Sequence, residues 1–141
     1  MTDRSNITFI DITIAKVDNG ASYGVGAELY RLLPDDKKEV YKAASLFINE
    51  PEIRSTSVAI QYVIPQLLNE VTDSELVIVY SNLPQFEYKR FTLKPRFNIL
   101  AQNKGMNIKL VRRPRLLWIN QNIMLLANDA LSRRSSVIAQ V

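Results

Sequence analysis

Ile7-Thr8-Phe9-Ile10-Asp11-Ile12-Thr13-Ile14-Ala15 is the stretch on which the reading of the fold turns. Its β-branched content favours a strand. Ile7, Phe9, Thr13 and Ala15 occupy odd positions, and Ile10, Ile12 and Ile14 occupy even ones. Apolar side chains on both faces are the pattern of a central strand covered on both sides. Asp11 interrupts it. A carboxylate among isoleucines is costly to bury unless it is paired or bound. Asp11 is therefore either an acid of a metal or phosphate site, or a structural aspartate satisfied by backbone donors or a nearby arginine.

Outward from this segment, Val17-Asp18-Asn19-Gly20 reads as a turn, with Asn-Gly supplying positive φ. Ser22 to Arg31 returns as a second strand, and Pro34-Asp35-Asp36-Lys37-Lys38 is another turn. Glu39 to Phe47 fits a third strand or a short helix. Ser55 or Thr56 caps a helix through Val58, Ile60, Val63, Ile64, Leu67 and Leu68, which Pro65 should kink or interrupt. Glu75 to Tyr80 is a short buried strand, Leu83 to Lys104 a basic and aromatic region of one or two helices with loops, and Asn107 to Val111 a further strand. Asn120 to Arg134 forms a last helix, with Arg133 and Arg134 where the helix dipole prefers cations. An antiparallel opening followed by alternating helix and strand predicts an α/β domain with a mixed five-stranded sheet and helices packed on it.

Length and composition narrow the functional classes. The 141 residues suit a single domain, 1–141. No apolar run reaches the roughly 20 residues of a membrane span, so no membrane partner is expected. The chain has no cysteine and no histidine, which excludes disulfides, thiolate or imidazole metal sites and histidine-based catalysis. Any metal would be a hard cation on oxygen ligands. The lack of cysteine suits a cytoplasmic location. Gly24-Val25-Gly26 lacks the third glycine and following helix of a dinucleotide site.

Asp11, the Asn19-Gly20 turn and Tyr23-Gly24 twelve positions after the aspartate, together with Asn128-Asp129-Ala130-Leu131-Ser132 near the end, resemble the ribonuclease H family. The element order resembles it too. The resemblance implies a ribonuclease H-like fold and a phosphodiester-cutting centre in which carboxylates hold two divalent ions. The family set is an aspartate on the first strand, a glutamate on the first helix, an aspartate ending the next strand and an aspartate on the last helix. Asp11 and Asp129 match the first and last, as candidate catalytic and metal-binding residues. Ser57 or Val58 stands at the glutamate's place and Ser81-Asn82 at the second aspartate's. The family's mobile histidine has no counterpart. Such a remnant would hold no metal ion, or one weakly bound Mg²⁺ or Mn²⁺, unless Glu50 or Glu52 swung into the gap.

Charge is segregated along the chain. Residues 1–86 carry 7 Lys/Arg and 12 Asp/Glu, net −5, whereas 87–141 carry 11 and 2, net +9. Such asymmetry points to a polyanion partner. Lys89, Arg90, Lys94, Arg96, Arg112, Arg113 and Arg115 are the candidate nucleic-acid-binding residues, interleaved with Phe86, Tyr88, Phe91 and Phe97. Pro114 should end its strand and leave the surrounding arginines exposed, while Trp118 is expected as a packing anchor. The expected function is a ribonuclease H-like nucleic-acid-binding or scaffolding domain, catalytically degenerate and comparable to the connection domains of reverse transcriptases. Its partner would be RNA or an RNA–DNA hybrid, within a larger nucleoprotein complex. The alternatives are a metal-dependent nuclease with a rearranged carboxylate site, and a protein-interaction domain.

Overall fold

The structure is a computed structural model that describes residues 6–17, 22–87 and 95–141, and of 95–98 the backbone alone. The elements run β1 (Ile7–Lys16), β2 (Ser22–Leu32), β3 (Lys38–Asn49), α1 (Thr56–Leu68), β4 (Leu76–Ser81), a 3-10 turn (Pro84–Glu87), α2 (Pro95–Asn103), β5 (Asn107–Arg112), the one-turn α3 (Leu116–Ile119), α4 (Asn122–Arg133) and β6 (Val137–Gln140). They form one mixed sheet in the order β5-β4-β1-β2-β3-β6. β1, β2, β3 and β6 pair antiparallel, and β4 and β5 continue the sheet from β1 in parallel.

β1 lies between β2 and β4 and is buried over Ile7–Ile14, as its two-faced apolar pattern requires. Its even residues, Ile10, Ile12 and Ile14, share a core with Ala59, Ile60, Val63, Ile64, Leu67 and Leu68 of α1 and Ala101 of α2. The Ser55 side chain accepts the Val58 backbone N–H and starts α1. Of the kink or interruption expected at Pro65, the interruption is not found: α1 continues through it. Apolar residues on both sides of that proline are anchored in the core, and their burial outweighs the roughly 3 kcal/mol penalty of an internal proline.

The opposite face carries the odd residues of β1. Its far half is covered by α4, whose backbone rests on Gly24 and Gly26: a Cβ added there would lie 2.0 Å from the Ala127 carbonyl oxygen and 1.7 Å from that of Ile123. This contact is what the Gly-Val-Gly sequence serves. Over the near half, Phe9 stacks on Tyr30 and on Tyr80, with ring centroids 5.4 and 6.2 Å apart.

Among the described residues the sheet has six strands, one more than expected. Glu39–Phe47 belongs to a strand, not a helix, because it pairs with β2 from end to end, with one bulge at Tyr41. The unexpected β6 is an exposed strand on Lys42–Ser45. Arg134 at φ 57° turns the chain back from α4, and the Arg133 guanidinium donates to the Ser45 and Ser135 carbonyls to hold that return. The expected last helix, 120–134, is α4, and the one-turn α3, which was not expected, precedes it with Asn120 between them. No described helix is long and apolar enough to cross a membrane.

Candidate functional site

The β1–β2 ladder places Asp11 directly opposite Glu28. Both point from the face that α4 partly covers, at the edge of that cover, and both are buried, at 3 % and 7 % exposure. Two adjacent buried carboxylates repel one another and lose hydration. Protein donors from three elements offset this. Asn120 Nδ2 donates to Asp11 Oδ2 at 3.0 Å and to Glu28 Oε1 at 2.6 Å, bridging the pair. Asn122 Nδ2 donates to Glu28 Oε2 at 2.9 Å. The Tyr30 hydroxyl donates to Asp11 Oδ1 at 3.0 Å. The Lys38 ammonium, at the start of β3, lies 2.8 Å from Glu28 Oε1 and 3.7 Å from Asp11 Oδ2. It also sits 4.6 Å from the centre of the Tyr30 ring.

The electrostatics follow from this packing. Burial alone would raise the Glu28 carboxyl, but the bonds from Lys38, Asn122 and Asn120 outweigh it and hold the group below its ordinary value. Burial pushes the Tyr30 phenol well above its ordinary range, reinforced by the charge and the hydrogen bond of Asp11. Tyr30 is thus a fixed donor at neutral pH.

Asp11 and Asp129 are not brought together. Asp129 is exposed on α4, seven residues beyond Asn122, or roughly 10 Å along the helix axis. The last-helix region meets Asp11 through Asn120 instead. Glu50 and Glu52 lie at the other end of β3, roughly 20 Å along the strand from Ala43, the partner of Glu28. Ser81 is buried where β4 ends, its hydroxyl accepting the Leu83 N–H, and Asn82 Oδ1 accepts the Thr13 hydroxyl. Ser57 lies in the first turn of α1. Among the described residues no group of three or more carboxylates stands ready for a metal ion.

Of the candidate basic residues, Lys89, Arg90 and Lys94 lie outside the described residues, as does the side chain of Arg96. Arg112 is half-buried and forms an ion pair with Glu87 at 3.0 Å. The exposed Arg113 lies over the Tyr80 ring, 3.6 Å from its centre, and Tyr80 is the β4 partner of Asp11. Arg113 therefore stands at the rim of the acid pair. Arg115 is exposed and lies 5.9 Å from the centre of the Trp118 ring. Trp118 is not the packing anchor expected: it is 81 % exposed. In the single turn of α3, Leu116 takes the buried position and leaves the indole outside.

Glu28, Lys38, Asn120 and Asn122 were not among the expected site residues. A signal for Glu28 was present, since every β1–β2 pair is symmetric about Asn19 and Gly20. The two-residue turn expected at Asn19-Gly20, which lies outside the described residues, would set Asp11 against Glu28.

No protein-family model and no curated protein matches the chain. Solved structures do match in shape. LC11-RNase H1, determined in complex with an RNA/DNA hybrid, superposes with a TM-score of 0.59 at 18 % identity, covering 90 % of this chain and 98 % of that one. The N-terminal RNase H domain of a Mycobacterium tuberculosis protein gives 0.56 at 16 % identity, covering 90 % and 94 %. RNase H1 from the archaeon Halobacterium salinarum gives 0.54 at 14 % identity, covering 90 % and 98 %. With a hairpin of β1 and β2, a parallel β4 and β5 beside β1, and helices on both faces, the chain has the ribonuclease H-like fold.

Proposed function

We propose that this chain is a ribonuclease H-like domain that binds or scaffolds nucleic acid without cutting it. The observation that carries the reading is the ammonium of Lys38 beside Asp11 and Glu28. Metal-dependent cleavage of a phosphodiester needs hard cations held by several anionic oxygens. Here two carboxylates share a lysine, two asparagine amides and a phenol, all donating into the positions that a cation would take. This donor set does not fit a pair of divalent ions, and a single Mg²⁺ or Mn²⁺ would have to displace Lys38.

The basic residues complete the reading. Arg113 and Arg115 are exposed, Arg113 at the rim of the acid pair over Tyr80, and both lie in the segment 87–141 with a net charge of +9. Lys/Arg contacts of this kind neutralise phosphates and release counterions whatever the base sequence. RNA or an RNA–DNA hybrid is the proposed partner, with Lys89, Arg90, Lys94, Arg96, Arg112, Arg113 and Arg115 as its contacts.

The test incubates the protein with a labelled RNA–DNA hybrid in Mg²⁺ or Mn²⁺. Salt-sensitive binding without cleavage is the expected result. Cleavage that disappears in Asp11→Asn would instead make the chain a nuclease, and Asp129→Asn would then show whether Asp129 takes part. Absence of both binding and cleavage would leave a protein-interaction domain.

A further inference from the structure

The exposed ridge Arg115–Trp118–Ile119 has no role in the acid pair, yet it carries the most exposed large apolar side chain among the described residues. Trp118 is 81 % exposed and Ile119 73 %. Leaving an indole and an isoleucine together in water forgoes the free energy of burying them. Arg115 extends over the indole, and Arg113 lies two residues before it against Tyr80. From Lys104 to Arg115 the chain carries Lys104, Lys109, Arg112, Arg113 and Arg115 and no acid. Of these, Arg112 is paired with Glu87.

The ridge is also held in place. Its next residue, Asn120, is buried and bonded to both Asp11 and Glu28. Leu116, at the start of the same turn, is fully buried. The indole is therefore presented from a segment fastened at both ends, so little ordering of the backbone is needed when something stacks on it.

We propose that Trp118 is a stacking platform for an unpaired base of a single-stranded nucleic acid, with Arg115 and Arg113 taking the flanking phosphates. This rests on the nucleic-acid reading above and names the form of the partner at this ridge. A flat π-face flanked by guanidinium groups matches a base with its phosphates: the base stacks, and each phosphate meets a cation. A duplex offers no free base face along its length, so the ridge selects a single strand or a junction where a strand leaves a duplex.

Trp118 is the only tryptophan of the chain, so its emission reports on this ridge alone. The protein is titrated with an oligouridylate of about 12 nucleotides, long enough for one binding site. Saturable quenching of the tryptophan emission is expected. Trp118→Ala, followed with an end-labelled oligonucleotide, should bind about 5- to 100-fold more weakly, the range that loss of one base–aromatic stack gives. The variant should keep its melting temperature, because the indole is outside the core. Oligouridylate or hybrid binding with unchanged emission, and equal affinity for wild type and Trp118→Ala, would overturn the stacking role while leaving the nucleic-acid function standing. Failure of every oligonucleotide and hybrid to bind would overturn both. Emission that shifts with protein concentration in the absence of nucleic acid would reassign the ridge to contact between copies of this chain.

Discussion

Lys38 decides whether the acid pair is a metal site or a structural centre. Its ammonium reaches both carboxylates from a side chain still one-third exposed, so its attraction is partly screened. Lys38→Met should cost about 1–2 kcal/mol, because two buried carboxylates lose a charged donor. The same change opens a cation position. Mn²⁺ should therefore raise the melting temperature of Lys38→Met and leave wild type unmoved, which a thermal-shift titration measures. An equal response of both proteins to Mn²⁺ would count against the lysine as resident cation. The centre also predicts a pH profile. The Glu28 carboxyl is held below its ordinary value of 4.5, so its stabilisation is full above that pH and lost as pH falls through the folded value. The Tyr30 phenol is raised above its ordinary value of 10.0, so its stabilisation is full below pH 10 and declines as the unfolded phenol ionises above it. Unfolding temperatures followed across pH should show a smaller acid decline in Glu28→Gln and a smaller alkaline decline in Tyr30→Phe than in wild type. At this scale the sequence exposed Asp11 as an acid among isoleucines. It left Lys38 and Asn120 hidden, because both read as ordinary polar residues in a turn and at a helix start.

Among the elements, the contact of α4 with β2 is the most sensitive to a single change. Gly24 and Gly26 let the helix backbone lie against the strand. Gly26→Ala would push a methyl group into the Ile123 carbonyl, which neither a rotamer change nor a small side-chain shift relieves. A loss of roughly 3 kcal/mol is expected, from overpacking against rigid backbone, measured by urea denaturation. A loss well under 1 kcal/mol would mean that α4 does not rest on β2 as described. Because α4 follows directly from Asn120 and carries Asn122, its displacement would also loosen the bonds to Asp11 and Glu28. Strands rich in β-branched and apolar residues, β1, β2, β4 and β5, were legible from the sequence. β3 was ambiguous because Ala43-Ala44-Ser45 has no apolar alternation of its own and takes its conformation from pairing with β2 and β6. β6 carries only the short β-branched pair Val137-Ile138 as a signal, and its exposed residues form a strand by pairing with the edge of β3.

For the molecule as a whole, the segregation of charge predicts binding dominated by phosphate contacts. Affinity for an RNA–DNA hybrid should fall steeply between about 50 and 200 mM salt. Arg113→Ala and Arg115→Ala should each lower the slope of log affinity against log salt by about 1, without favouring any base sequence. A slope that neither variant changes would place the nucleic acid elsewhere on the surface. The sequence by itself determined the central strand, its buried acid, the hairpin that follows it, the α/β order and the basic second half. These depend on local periodicity, on turn chemistry and on composition, all of which act over a few neighbouring residues. Tertiary structure alone decided what the acid does. Lys38 and the neighbouring Asn120 and Asn122 come from two distant places in the chain, and only the folded sheet brings an ammonium and two amides onto Asp11 and Glu28. The exposure of Trp118 was decided in the same way, since which side of a single helical turn faces water depends on what the rest of the fold has already covered.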